Sequence, residues 1–405
     1  MSRMNQILLT RTAPMIGHLA AYDNNLTAII PDLYAGLDVV SRELVGFLPS
    51  VFRNSNVERA AVNQPVVYPI APAPTRFNVT PAMTVPETTD VTVGSGQLTI
   101  SKSAGYEFGW TGEGQRSVSA STGYMTLQAD MFAQALRLLT NEMEVDVATA
   151  AYKAASRATG TSGTTPFGSN FDEMADLRKI LDDNGAPATD RSLVINTTSG
   201  AALRKNSQLT KVNEAGTMMT LRDGELLDIH GISIKESAGV AVHTKGTGAS
   251  ATTNNAGYAI GATVITLAAA GTGTVITGDV IIFAGDTNQY LVATGDTDVS
   301  GGGTITLAKP GLRQAIPAAA TNITVTNSYT GNVAFNRNAI HFITRAPALP
   351  DGGDSAIDSY MLTDPRSGIS FEVRLYAVYR KIRAEVAAAW GQGVVKPEHV
   401  AILKG

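Results

Sequence analysis

The chain contains no cysteine, which removes disulfides, thiolate nucleophiles and cysteine-ligated zinc in one step. That fits assembly in a reducing cytoplasm. Charge is scarce too: Asp, Glu, Lys and Arg make up 16 % of the 405 residues, as 31 basic against 35 acidic, with no long basic run. A dedicated nucleic-acid reader would carry a clustered basic patch, so sequence-specific binding is disfavoured. No apolar run reaches the length needed to span a membrane. The opening MSRMNQILLTRTAPMIGHLAAY lacks signal-peptide architecture, and the chain is expected not to be secreted. Hydrophobic residues still reach 44 %, enough for a large core spread over about two or three domains.

Catalytic patterns are missing as well. The five histidines, His18, His230, His243, His341 and His399, show no metal-ligand spacing and read as structural residues. Gly271-Thr-Gly273 and Gly301-Gly302-Gly303 open no helix and lead to no Gly-Lys-Ser/Thr, so they are turn glycines. Asp279, Asp286, Asp296 and Asp298 match no calcium loop and are expected to cap turns. There is no Gly-x-Ser-x-Gly elbow. Neither a catalytic site, a metal site nor a cofactor is expected.

What is present is shape. From Thr122 to Arg157 the text is helical, and Met125, Ala129, Phe132, Leu136, Leu139, Met143 and Val147 form one apolar stripe. At 1.5 Å per residue such a helix spans roughly 50 Å, the length of a strut. Glu142, Glu144 and Asp146 lie on it; residues two apart face different ways, so they read as a solvated or intersubunit-facing acidic edge. Before it, Tyr34, Leu37, Val40, Leu44 and Phe47 suggest one short packed helix in an N-terminal arm. Pro65, Pro69, Pro72, Pro74, Pro81 and Pro86 then exclude long continuous helices from 54 to 114, and VTVGSGQLTISKS reads as a hairpin around Gly94-Ser95-Gly96. A projecting two-stranded loop is marginal alone and needs a partner surface.

After the strut, Phe171–Asn184 reads as a helix stopped by Gly185 and Pro187, Ser192–Thr198 as a buried strand, and Asp223–Ser237 as a turn with two short strands: an α/β layer. Between Thr244 and Thr330 charge nearly vanishes, and TVITL, GDVIIFAG, QYLVATG, GTITLA and ITVT alternate with Gly, Asp and Asn turns. This reads as an inserted β-barrel or sandwich. From Gly368 to Leu403 the chain alternates like antiparallel strands; RKIRAEVAAAWG has helical propensity, and strand is favoured.

LTISKSAGYEFGWTGEGQ (Leu98–Gln115), with Lys102, Phe108, Trp110, Thr111 and Glu113, resembles the hairpin return of the coat proteins of short-tailed Salmonella-type phages. NVAFNRNAIHFITRAP and SGISFEVRLYAVY are similar to the segments in which such tailed-bacteriophage major capsid proteins re-enter their core and close. The resemblance implies an α+β major capsid fold: N-terminal arm 1–53, extended hairpin loop 54–119, peripheral domain with spine helix 120–165, axial α/β domain 166–243 and 331–360, inserted β-barrel 244–330, and peripheral closing strands 361–405. It implies a virion shell subunit, assembled in the host cytoplasm as pentamers and hexamers. Its partners would be itself, a scaffolding protein, a portal and packaged double-stranded DNA, with a decoration protein left open and no membrane. Phe77, Val79, Lys102, Phe108, Trp110, Glu113, Glu142 and Glu144 are the expected intersubunit contacts. Two other readings stand beside it: an encapsulin-like compartment, against which the insertion argues, and a secreted carbohydrate-active enzyme, for which paired carboxylates are lacking.

Overall fold

The computed structural model describes residues 44–70, 74–76, 79, 81, 92–119, 124–168, 170–206, 228–363 and 369–405. Phe77 and most of the proposed arm helix lie outside them, as do the side chains of Met125 and Ala129.

In chain order, strand β1 (Phe52–Ala60) leads into β2 (Pro65–Ile70), β3 (Gly94–Thr99) and β4 (Lys102–Thr111). Helix α1 (Gly112–Ser119) precedes α2 (Tyr124–Lys153), whose 30 residues make it roughly 45 Å long. Next come β5 (Arg157–Thr159), α3 (Asp172–Asp183), β6 (Arg191–Ile195), α4 (Thr197–Lys205), β7 (Ser233–Glu236) and β8 (Val242–His243). The insertion supplies β9 (Val264–Leu267), β10 (Val280–Phe283), β11 (Gln289–Thr294), β12 (Gly303–Leu307) and β13 (Ile323–Val325). The chain ends with β14 (Tyr329–Asn336), β15 (Ile340–Pro347), β16 (Ala356–Thr363), β17 (Ser370–Val378), β18 (Lys381–Val394) and β19 (Val400–Lys404).

The strut lies on a six-stranded sheet built around β18. That strand pairs antiparallel with β4 over Lys381–Trp390, with β17 over Lys381–Ala387, and with β15 over Ala389–Val394. Its alternation explains why strand wins over helical propensity. Ala384, Val386, Ala388 and Trp390 are buried on one face, against Phe132, Leu136, Leu139, Met143 and Val147 of α2. Small alanines let the helix approach, and the sheet neighbours on both edges satisfy the backbone.

The second sheet has eleven strands, with a central order β13-β10-β11-β5-β19-β14-β6-β7. Helices α3 and α4 flank it, and Met174, Leu177, Leu181 and Leu203 pack on Leu193, Ile195 and Leu403. The turn after α3 follows the sequence: Gly185 takes φ 72° just beyond the C-cap Asn184.

Strand membership crosses the domain boundaries that the resemblance implies. β1 straddles the arm–hairpin boundary at 53 and pairs parallel with β15 in the six-stranded sheet. β15, placed in the axial part, also belongs to that sheet, whereas β19, placed with the closing strands, lies in the eleven-stranded one between β5 and β14. The reason is register: β19 offers a fully buried VAILK run, which needs neighbours on both edges.

The insertion has a core of its own, including Ile265, Ile281, Phe283, Tyr290, Val292, Ile305 and Leu307. It does not stand apart, because β11 also pairs with β5 (Gln289↔Ala158, Tyr290↔Arg157) and so extends the α/β sheet. Its neck is the β8–β14 pair, His243↔Tyr329 and Val242↔Thr330.

Candidate assembly surfaces

β2 and β3 pair as a two-stranded ribbon, and its turn is not at the glycines. Gly94, Ser95 and Gly96 lie inside β3, which pairs with β2 from Pro65↔Thr99 to Ile70↔Gly94. Gly96 serves close packing: a Cβ there would sit 2.2 Å from Cζ of Tyr68. Proline fits in β2 because the sheet has two strands and each leaves one edge without ladder partners. At its root the ribbon rests on the body through Val66 and Leu98 against Ile100, Ile343 and Ala389. The His341 ring lies 4.6 Å from Phe52 and 5.4 Å from Tyr68. Burial lowers the pKa of His341, which favours the neutral ring in this stack. Farther out, apolar side chains face solvent: Val67 is 58 %, Val93 62 % and Val79 88 % exposed.

Several of the residues expected at intersubunit contacts make contacts within the chain. Lys102 Nζ sits 3.1 Å from Glu142 and 2.9 Å from Asp146, fastening β4 to the strut. The hydrogen bond to Asp146 raises its pKa above the usual lysine value, against the opposing effect of burial. Asp146 also accepts from Nε1 of Trp390 at 3.0 Å. Phe108 meets Phe132 edge-on, with ring centroids 4.7 Å apart.

Glu144 corrects the reading of an acidic edge most sharply. It is 2 % exposed, and its carboxylate accepts backbone N–H groups from Gly46 (2.8 Å), Phe47 (2.7 Å) and Leu48 (3.0 Å), and the Ser237 hydroxyl (2.6 Å). A carboxylate is tolerated at that depth because donors converge on it. Glu142 and Asp146, one turn apart, share the opposite direction. Sequence spacing separated the two directions but could not say that the 46–48 turn would cover one of them.

Trp110 lies at the end of β4 and Glu113 at the start of α1. With residues 377–382 at the β17–β18 turn they line an open groove of about 700 Å³. Tyr379 at that turn is 86 % exposed, its ring beneath the Arg380 guanidinium at 5.6 Å. Nothing in the alternating text of β17 and β18 marked this tip as exposed apolar surface beyond the adjacent Val378 and Tyr379.

The insertion's aspartates cap turns. Asp298 accepts from Ser300, and Asp286 from Asn288 and the Tyr290 hydroxyl, a phenol pushed up to about 12 by burial and this bond. Asp279 is fully buried; it accepts from Ile276 N and Gly246 N and lies 2.9 Å from His243 Nε2. The rings of Tyr152 and Tyr329 flank His243, and Tyr329 donates to Gly278 O. This His–Asp pair is closed to solvent, so it fixes the neck and offers no room for a substrate. Among the described residues no group of three His, Asp or Glu side chains could hold a metal ion, and no helix is long and apolar enough to cross a membrane.

Neither protein-family models nor curated protein sequences match the chain. Solved structures are similar to it at low identity. A chain from Mycobacterium phage Che8 is 15 % identical, covers 86 % of this chain and 88 % of its own, and gives a TM-score of 0.41. A chain of the cyanophage P-SCSP1u capsid is 12 % identical over 87 % and 86 %, with a TM-score of 0.46. The virus-like particle from Pyrococcus furiosus is 10 % identical over 93 % and 99 %, with a TM-score of 0.42. These are distant likenesses; the α+β architecture of strut, ribbon and two sheets is the chain's own, and it carries the functional reading.

Proposed function

We propose that this chain is the major capsid protein of a tailed double-stranded DNA bacteriophage, assembling as pentamers and hexamers into an icosahedral head. The observation that carries the reading is the β2–β3 ribbon. Two strands form no core, and this pair leaves Val67 and Ile70 exposed, with Val93 exposed just before β3. A surface of this kind belongs against another copy. Val79 and the Trp110–Tyr379 groove are the further contact candidates, whereas Lys102, Phe108, Glu142 and Glu144 act by shaping the subunit. A separate scaffolding protein, a portal and packaged DNA are the partners that such a shell requires.

The test is assembly. The full chain, expressed alone or with its scaffolding protein, should give megadalton particles by light scattering and closed shells in negative stain. Deleting 72–99 should leave a soluble subunit without shells. Closed shells from that deletion, or a wild-type chain that stays monomeric under every assembly condition, would sink the proposal. Nuclease-protected DNA in particles from infected cells separates a phage head from a compartment loaded with protein.

A further inference from the structure

The root of the ribbon rests on a seat built largely of backbone and bare of charge. β18 offers Gly391 and Gly393 there. A Cβ on Gly391 would collide with the Thr99 carbonyl oxygen, and one on Gly393 would stand 2.5 Å from Cδ1 of Leu98. β15 adds His341, whose ladder partners are Gly393 of β18 on one side and Phe52 of β1 on the other. The half-buried imidazole meets both the Phe52 ring of the body and the Tyr68 ring of the ribbon.

The geometry is that of a hinge. Ser101 N donates to Trp390 O at 2.9 Å, and β4 runs on from there into the six-stranded sheet. Ala348 N donates to Ala60 O at 3.1 Å where β1 ends. Both legs of the ribbon are therefore fixed below Pro65 and Thr99. Above them, Val66, Tyr68 and Leu98 make the contacts that hold β2 and β3 down.

A proton on His341 would put a charge into this seat. β2 (PVVYPI) and β3 (GSGQLT) carry no charged residue, and Tyr68 is their one titratable group; β18 has none from Gly391 to Val394. The flanking elements bring mostly cations: Arg53 and Arg59 on β1, Arg345 on β15, Arg337 on the 3₁₀ turn Arg337–Ala339, and Lys396 just past β18. Arg53 pairs with Phe342 and so belongs to the opposite face of the sheet. The carboxylates are Glu58 on β1, which acts on Arg345, and Glu398, which acts on His399. Among the described residues no carboxylate forms an ion pair with His341. Burial lowers its pKa, against a hydrogen bond with the Asn338 backbone that favours the charged ring. Stacking on two aromatic faces offsets part of the cost of taking that charge out of water.

We propose that His341 is a proton-operated latch on the ribbon: the neutral ring keeps β2 and β3 seated on the body, and the imidazolium lets them swing about the root. The released state leaves the ring in water at its ordinary value of 6.5, so it is the state that binds the extra proton. The seat is at full strength above about pH 6.5 and weakens as pH falls through the lowered value of the seated ring. What the latch controls is the direction in which Val67, Ile70 and Val93 are offered to another copy. The inference stands on the seat and goes beyond the capsid reading without needing it.

The experiment is backbone hydrogen exchange on the full-length subunit from about pH 8 to about pH 5, corrected for the intrinsic effect of pH. A freed two-stranded ribbon is marginal, so the ladder amides of β2 and β3 should lose protection below about pH 6.5 while those of the strut keep theirs. His341→Phe keeps a ring in the stack and cannot titrate; its ribbon should stay protected throughout. Gly391→Ala keeps His341 but blocks the seat. Its ribbon should exchange at every pH, and by proton NMR its imidazole should titrate near 6.5, against a lower value in the wild type. The latch is overturned if wild-type ribbon protection is unchanged across the titration of His341, if His341→Phe keeps the acid-induced loss, or if the wild-type ring titrates at or above 6.5. Loss of strut protection in step with the ribbon is acid unfolding of the whole subunit and overturns it too. Shell formation is scored separately: a wild-type chain that forms no shells defeats the capsid reading and leaves the latch standing.

Discussion

Replacing Glu144 should be far more damaging than replacing Glu142, although the two are neighbours on one helix and looked alike in sequence. Glu144→Ala leaves three backbone N–H groups and one hydroxyl without an acceptor in a site that is 2 % exposed. Each orphaned buried donor costs about 1–3 kcal/mol, and water entering the vacated space recovers part of that, so a loss of about 4 kcal/mol is expected. Glu144→Gln should be intermediate, at about 2 kcal/mol. Its carbonyl can replace Oε1, which serves Gly46, Phe47 and Ser237, but its NH₂ would face the Leu48 N–H, donor against donor. Glu142→Gln removes only a solvent-screened partner of Lys102 and should cost about 0.5 kcal/mol or less. Guanidinium unfolding of the unassembled subunit, followed by fluorescence of the fully buried Trp390, measures all three. The reasoning is refuted if Glu144→Ala costs less than about 1 kcal/mol, the ordinary scale of a surface change, or no more than Glu142→Gln.

Other outcomes follow from the same structure. Leu139→Pro, in mid-strut at a fully buried position, should cost about 3 kcal/mol or more and give insoluble chains or aberrant particles; wild-type assembly would show that helix continuity is dispensable. Lys404 is buried and its pKa is lowered from 10.5 to about 8 by desolvation. The unfolded state therefore binds the extra proton between those values, so subunit stability should rise with pH from about 8 to 10.5, by at most about 3 kcal/mol. In Lys404→Met this rise should vanish, and a variant that kept the wild-type pH profile would assign the dependence elsewhere. An excised 244–330 fragment should give dispersed β-type amide resonances from its own core, with lower stability than in the full chain because β11 loses β5 and Asp279 loses His243. A disordered fragment would show that the core needs the α/β sheet to form.

Periodicity made the larger elements legible. The strut needs one apolar stripe, and its described members Phe132, Leu136, Leu139, Met143 and Val147 are all fully buried. The short β runs of the insertion each became a strand, because Val, Ile and Thr between Gly and Asp turns have few alternatives. Long-range pairing was not legible. Nothing local in QYLVAT says that β11 will join β5, or in VAILK that β19 will leave the closing strands for the other sheet, because register is decided by which buried edges remain to be filled.

The same limit explains the contact residues. A charged or aromatic side chain that suits an interface between subunits also suits an interface between segments of one subunit, since the chemistry of burial is the same. Lys102 with Glu142 and Asp146, and Phe108 with Phe132, form the seam between β4 and the strut, where the sequence allowed a seam between copies. Exposed apolar surface distinguishes the two cases. Among the described residues, Val67, Val79, Val93 and Tyr379 are exposed, so the ribbon and the β17–β18 tip are the first places to look for another copy.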